Sequence, residues 1–296
     1  MSIFIFAIVG ALAQLVDGTL GMAFGITSSS LLVIAGATPL AASAAVHFAE
    51  LGTTFSSGAA HWRVKNVDWH IVLRLGIPGA VGAAAGSTVL SRISLEGSRM
   101  WMSSLLLVLG LVLIIRFGMH RRVISAITKR PRTSVLIPLG LAAGFIDASG
   151  GGGWGPVTTP TLLTITSHEP KRVIGTVSAS EFFVALSASG GFVAGSATSD
   201  MDWKVIAGLL LGGVLMAPFA ALLAGKLPHA PFGTLIGGVV VISNGRVLLN
   251  GFGVNNSISG AILLSAAFIV ALISLRAWRK ESRDGVEHSF FEENEL

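Results

Sequence analysis

The chain has 296 residues, 52% hydrophobic and only 12% charged, with a formal net charge of +5 and a mean hydropathy of +0.77. A soluble domain carries about 25% charged residues, so these values exclude a soluble globular protein and point to a polytopic membrane protein. The absence of cysteine excludes disulfides, thiol chemistry and cysteine metal sites. The basic pI of about 10.2 arises from lysines and arginines in short loops between apolar spans, the positive-inside pattern, and not from a nucleic-acid-binding face.

In chain order, membrane segments are expected at 3–16, 20–35, 40–60, 69–90, 101–118, 134–146, 156–165, 172–197, 203–224, 231–249 and 257–275. No cleavable leader is expected, because the first basic residue is Arg63. The first two segments are separated by a glycine-bearing break, Asp17-Gly18-Thr19-Leu20-Gly21-Met22-Ala23-Phe24-Gly25. A second break, Gly144-Phe145-Ile146-Asp147-Ala148-Ser149-Gly150-Gly151-Gly152-Gly153-Trp154-Gly155-Pro156, separates 134–146 from 156–165. Each glycine costs roughly 1 kcal/mol relative to alanine inside a helix, so both stretches predict pairs of short helices joined by irregular backbone. Such backbone is tolerated at membrane depth only where protein or a watery cavity surrounds it.

The two breaks align at a shift of 130 positions, Asp17 on Asp147, Gly21 on Gly151 and Gly25 on Gly155. Downstream, Pro39 matches Pro170, Glu50 matches Glu181, and Asp68-Trp69 matches Asp202-Trp203. This ordered series marks an internal duplication. The expected organisation is a first repeat at 1–118, a basic linker at 119–133, a second repeat at 134–253, an additional helix at 254–278 and a tail at 279–296. The stretch 116–132 carries Arg116, Arg121, Arg122, Lys129, Arg130 and Arg132, and the stretch from 276 onward carries Arg276, Arg279, Lys280 and Arg283. Both belong in the cytoplasm, so an even number of passes separates them. Reading each broken pair as a hairpin satisfies that parity, puts Arg63, Lys65, Lys171, Arg172 and Lys226 inside, and puts the N-terminus, Asp200 and Asp202 outside. Arg92 and Arg99 oppose it, landing outside with only Glu96. Five segments per repeat make the second copy inverted, an architecture of secondary transporters. The expected fold class is therefore all-α, in the inner membrane.

The second break carries a further signal. Gly144-Phe145 through Gly155, with Pro160 downstream, resembles the duplicated Gly-Phe-x-x-Gly-x-x-Gly-x-Gly-Gly-Gly pattern of the sulfite exporter TauE/SafE family, with Ala148 and Trp154 in place of two of its glycines. In the first copy Gln14-Leu15 opens the pattern, Ala23-Phe24-Gly25 stands for the glycine triplet and Ser30 replaces the proline. The resemblance implies export of sulfite or small organosulfonates such as sulfoacetate.

The residues themselves suggest where an anion binds. Helices starting after the breaks aim amide N–H groups and positive dipole ends inward. Gly21, Gly25, Gly151, Gly152 and Gly153, with the hydroxyls of Thr27, Ser28, Thr158 and Thr159, line the expected site, and Trp154 walls it. The alternative is that these glycines only permit close helix packing. Arg246, beside Asn244, either pairs with the anion or snorkels to the outer interface. Glu50 and Glu181 sit within apolar segments, Glu50 on a stripe with Ser43, His47, Thr54 and His61. They serve as protonation sites coupled to transport, with His47, or as braces accepting hydrogen bonds from the open amides. Asp17 and Asp147 are expected to cap the helix starts. Arg74 and Arg116 read as interface anchors, and Trp62, Trp69, Trp101, Trp203 and Trp278 as an aromatic belt.

No Gly-x-Ser-x-Gly or His-Glu-x-x-His arrangement occurs, so an enzyme is not expected. No cofactor and no metal is expected. The expected partners are a small anionic substrate and the bilayer, with a homodimer left open and nucleic acid excluded. A carboxylate transporter of the same build, or an anion channel, is the alternative to sulfur-anion export.

Overall fold

The computed structural model describes residues 3–118, 131–195, 201–224 and 228–293, and these form eleven helices with no strand among the described residues. Within the stretch expected as the first repeat lie α1 (Ile3–Leu20), α2 (Phe24–Ile34), α3 (Pro39–Arg63), α4 (Trp69–Arg92) and α5 (Leu95–Gly118). Within the stretch expected as the second lie α6 (Thr133–Gly150), α7 (Trp154–Ile165), α8 (Pro170–Ala194), α9 (Trp203–Leu223) and α10 (His229–Gly251), and α11 (Asn256–Glu293) follows. Arg121, Arg122, Lys129 and Arg130 of the linker, with Asp200 and Lys226, lie outside the described residues.

Matched signals start matched helices. Proline opens α3 and α8, where its missing N–H would have no partner anyway. Asp68 and Asp202 cap α4 and α9, accepting from the His70 amide at 3.0 Å and the Lys204 amide at 2.9 Å. The 38 residues of α11 reach about 57 Å at 1.5 Å per residue, so the helix outruns a ~30 Å hydrocarbon core and the tail beyond Arg279 continues as helix to Glu293.

The breaks are shorter than their glycine content predicts. α1 continues past Asp17 to Leu20 and α6 continues to Gly150, leaving only residues 21–23 and 151–153 outside helix. Two short arms per pair were expected. Instead the first arm has 18 residues, about 27 Å, and the second 11 or 12 residues, about 17 Å. The cause is packing: a side-chain carbon added at Gly144 would lie 2.8 Å from the Gly79 carbonyl carbon, so α6 rests its backbone directly on α4. Backbone contact of this kind offsets the conformational cost of helical glycine. Only residues in the left-handed region break the helices, Gly21 (φ 72°), Gly151 (φ 73°) and Gly152 (φ 142°).

Helices pair across the repeats. α6 runs parallel to α4, with Gly140 on Leu75 and Gly86 on Phe145, and α1 runs parallel to α9, with Gly10 on Leu209 and Gly18 on Ala220. α3 and α8 are antiparallel, with Phe55 on Phe182 at 5.8 Å and Gly58 on Ala179. α5 and α10 are antiparallel as well, with Gly110 on Gly237 and Met100 on Gly251. The interior sets polar groups within an apolar core, and the exterior is apolar. His47, Glu50, Asp147, Ser28 and Thr54 are buried, while Leu215, Leu264 and Phe268 are strongly exposed, as a lipid-facing surface requires.

Loops gather at two ends. Phe6, residues 35–38 and Asp202 line one cleft of about 470 Å³, and residues 33–34, 95–96, 99–100 and 250–251 help line another of about 800 Å³ beside it. At the other end Trp62 meets Trp69 at 6.3 Å, Arg74 donates to Thr133 at 2.8 Å, and Arg116 donates to Thr164 at 3.0 Å and to the Pro160 carbonyl. Arg74 and Arg116, read as interface anchors, are thus also ties between helices.

Gly144→Val should force α4 and α6 apart and lower stability by about 1–3 kcal/mol, the usual cost of overpacking. Thermal melting of the detergent-solubilised protein checks this. Gly190→Ala, where nothing lies within 4 Å of the added carbon, should melt like the wild type.

Candidate functional site at the crossed breaks

The two breaks cross backbone on backbone. A carbon added at Gly152 would lie 2.6 Å from the Gly25 carbonyl carbon, and one at Gly155 would lie 2.6 Å from the Gly21 oxygen. Gly25 faces Gly152 and the Glu50 carboxyl, the latter 3.1 Å from an added carbon. Close packing is therefore one role of these glycines. The crossing is tied reciprocally: Ser29 donates to the Gly151 carbonyl, and Thr159 donates to the Gly21 carbonyl. Donors and acceptors alike are 130 positions apart, so each break satisfies a carbonyl of the other.

Asp17 and Asp147 cap as expected, but from inside the preceding helix. Asp17 Oδ1 accepts from the Ala23 amide at 2.9 Å and the Phe24 amide at 3.4 Å, and Asp147 Oδ1 accepts from the Trp154 amide at 3.0 Å. Each aspartate thereby joins the end of one arm to the start of the next. Asp147 Oδ2 remains free for His47 Nε2 at 3.1 Å.

The helix α3 serves both breaks. His47 Nδ1 lies 2.7 Å from the Ser43 carbonyl, which can only accept, so Nδ1 carries a hydrogen and Nε2 faces Asp147. Ser43 Oγ donates to the Ala148 carbonyl at 2.9 Å. One helical stretch further on, His61 Nε2 donates to the Gly18 carbonyl at 3.2 Å, the position matching Ala148. Glu50 does not brace: neither of its oxygens has a hydrogen-bond partner, although the residue is 1% exposed. The nearest basic group is the His47 imidazole, with Nε2 3.9 Å from Glu50 Oε2. Glu181 is buried too and lies within electrostatic range of Asp17, Glu50 and Asp147. Two carboxyl groups, Glu50 and Asp147, thus flank the His47 imidazole, and Asp17 and Glu181 lie within electrostatic range of that pair.

The remaining expected residues divide. Ser28 Oγ is buried with no partner, as are Ser149 Oγ and Ser178 Oγ, so these hydroxyls are free to meet a ligand. Thr158 donates to the Trp154 carbonyl at 2.6 Å, Thr159 is spent on Gly21, and Thr27 is half-buried. Gly153 packs against Ile146 and Asp147. Trp154 is fully buried, donates from Nε1 to the Val177 carbonyl at 3.3 Å and wedges its ring against Gly79, so it walls the crossing from α4 and α8. Asn244 donates to Ser30 Oγ and the Val240 carbonyl, both at 2.9 Å, and fastens α10 to α2. Arg246 is exposed and lines the 800 Å³ cleft with Glu96, Arg99 and Asn250. It is not brought to the crossing, because its position near the end of α10 places it at the loop end of the bundle.

One cluster has no forewarning in the sequence. His168 Nε2 lies 3.1 Å from Asp68 Oδ2, Arg172 lies 3.7 Å from the same oxygen, and the Asp68 amide donates to Thr176 Oγ1 at 2.9 Å. The ties bind the start of α4 to the start of α8. Nearby, the exposed Glu169 carboxyl is held below its ordinary value by the Lys171 ammonium 2.7 Å away.

A family model described as sulfite exporter TauE/SafE matches residues 6–247. The chain is 42% identical over 276 residues to the probable membrane transporter protein YtnM of Bacillus subtilis (strain 168), covering 90% of this chain and 91% of that one. No solved structure matches.

Asp147→Ala should lose the cap on α7 and cost about 0.5–2 kcal/mol, whereas Asp147→Asn, which keeps an acceptor oxygen, should cost less. Melting temperatures of the two variants side by side test the cap.

Proposed function

The chain belongs to the sulfite exporter TauE/SafE family and is a membrane transporter, not an enzyme; we propose that it exports a small sulfur-containing anion, sulfite or an organosulfonate, by proton-linked alternating access. The observation that carries this reading is the crossing itself. Two helices begin there with their positive ends inward, and the helices that meet there carry buried, unpartnered hydroxyls, among them Ser28 on α2 and Ser149 on α6. The carboxyl groups supply the coupling. Two unit charges of like sign 4 Å apart repel by about 4 kcal/mol at an effective dielectric of 20. An anion therefore enters this centre only when positive charge, such as protons on Glu50 or Glu181, enters with it.

We infer further that the repeats are inverted in the inner membrane, N-terminus outside and C-terminus cytoplasmic. The start of α1 and the end of α2 line one cleft, so that pair is a hairpin opening to one end. The start of α6 and the end of α7 meet Arg74 and Arg116 at the opposite end, where the basic linker begins. The two ends differ in a way that supports alternating access. Asp68, His168 and Arg172 join at the cytoplasmic end, while their counterparts Asp202, Ala37 and Ala41 line the open 470 Å³ cleft. The bundle accordingly reads as closed to the cytoplasm and open outward.

In proteoliposomes, sulfite and sulfoacetate should compete for one saturable flux and acetate should not; preferential acetate transport would favour the carboxylate reading, and non-saturable flux a channel. Glu50→Gln should abolish the response of that flux to an imposed pH gradient, and an unchanged response would remove Glu50 from coupling. Gly152→Val should stop transport while protein still inserts. Because the chain lacks cysteine, a single Val67→Cys reports on the cytoplasmic lock: adding Asp68→Asn should raise its labelling rate several-fold, and an unchanged rate would deny the lock.

A further inference from the structure

We propose that His47 Nε2, Glu50 Oε2 and Asp147 Oδ2 form a binding site for one divalent transition-metal cation of the Mn²⁺ or Zn²⁺ class. The three side chains come from α3 and α6, are all buried, and hold their ligand atoms within 4.8 Å of one another. Nothing in the sequence suggested it, since the ligands lie 3 and about 100 residues apart on different helices.

Distances select the kind of cation. Ligand atoms bound at about 2.1 Å to a metal sit roughly 3.0–3.4 Å apart on adjacent vertices of an octahedron or tetrahedron. His47 Nε2 and Asp147 Oδ2 stand 3.1 Å apart, Nε2 and Glu50 Oε2 3.9 Å apart, and all three ligand atoms lie within 4.8 Å of one another, so the site closes by a movement of the Glu50 carboxyl toward the other two. An imidazole with carboxylates suits borderline transition metals, whereas Ca²⁺ and Mg²⁺ take oxygen ligands. The histidine is already oriented to ligate. Its Nδ1 donates to the Ser43 carbonyl, which leaves Nε2 aimed at the two carboxyls, as in most metal-binding histidines. Phe192, 5.7 Å from the imidazole, closes the ring's other side.

Glu50 distinguishes a metal from a proton. A proton shared between His47 and Asp147 would satisfy those two groups and leave both Glu50 oxygens bare. A cation at the midpoint engages all three, and Asp17 and Glu181 add to the negative field drawing it in. Asp147 also caps α7, and Ser43 holds Ala148, so a bound metal would stiffen the second break directly. The inference deepens the transport reading by naming a cation that balances the anion, but binding is measured without any flux, so either can fail alone.

The test uses the purified full chain in detergent, stripped with a chelator and titrated with Mn²⁺ by calorimetry and by loss of the free-ion electron paramagnetic resonance signal, then with Zn²⁺ by calorimetry. One saturable site per chain is expected, weakened at least tenfold by E50Q and by H47Q and unchanged by H168A, which removes the other histidine–carboxylate pair. H47Q carries the test if E50Q does not purify as monodisperse protein. Absence of saturable binding for both metals would overturn the site, leaving protons as its occupants. Undiminished affinity in E50Q and H47Q would overturn it too, by placing the metal elsewhere.

Discussion

A charge buried away from water must find its opposite nearby, and this protein sets the Glu50 and Asp147 carboxyls beside the His47 imidazole, with Asp17 and Glu181 in range of those carboxyls, at the point where two broken helices cross. Each ingredient of the crossing follows from the last. Left-handed glycines at 21, 151 and 152 turn the chain, the turned segments expose amides, and Asp17 and Asp147 take up those amides with one oxygen each. Asp147 then has an oxygen to spare for His47, and Glu50 lies beside both with nothing to bind. On the proposed reading the charge balance of this group decides which ions the centre takes.

The duplication explains how so much irregular backbone is satisfied. A break standing alone would leave carbonyls orphaned, at about 1–3 kcal/mol each when buried. Here each break supplies the hydroxyl that the other lacks, Ser29 for Gly151 and Thr159 for Gly21. Long-range pairing follows the same exchange, with α1 on α9 and α6 on α4. Neither repeat could bury its own break, so the halves form one cooperative body.

Much of this was legible in the chain because it is written as ordered repetition. Asp, Gly, Gly, Pro, Glu and Asp-Trp recur in register, and the helix count, cap positions and helix breaks followed from them. The extent of each break was not legible. Glycine lowers helix propensity, yet Gly140, Gly144 and Gly150 are helical because a neighbouring helix occupies the space a side chain would need. Propensity cannot report a partner 60 residues away. The same blindness left Arg246 open between the anion site and the outer interface, since its one-dimensional neighbours Asn244 and Ser243 are buried while its own position turns outward. It hid His168 as well, an ordinary loop histidine until Asp68, a hundred residues earlier, is brought within 3.1 Å. Trp154 stands between these cases. Its place in the break marked it as a wall, but only the close approach of Gly79 shows how the ring fits there.

The inequality of the two ends is the last consequence of sequence. On the proposed alternating-access reading, duplicated halves that differed nowhere would favour neither end. This chain differs where the ends close: Asp68, His168 and Arg172 form a charged tie, while Ala37 and Ala41 give Asp202 nothing to hold. Such a tie is partly exposed, and each pair in it contributes about 1 kcal/mol or less. That is enough, since about 1.4 kcal/mol shifts an equilibrium tenfold. On the alternating-access reading proposed above, three side chains at one rim would bias the bundle toward the form open at the other end, where the centre would first meet its ions.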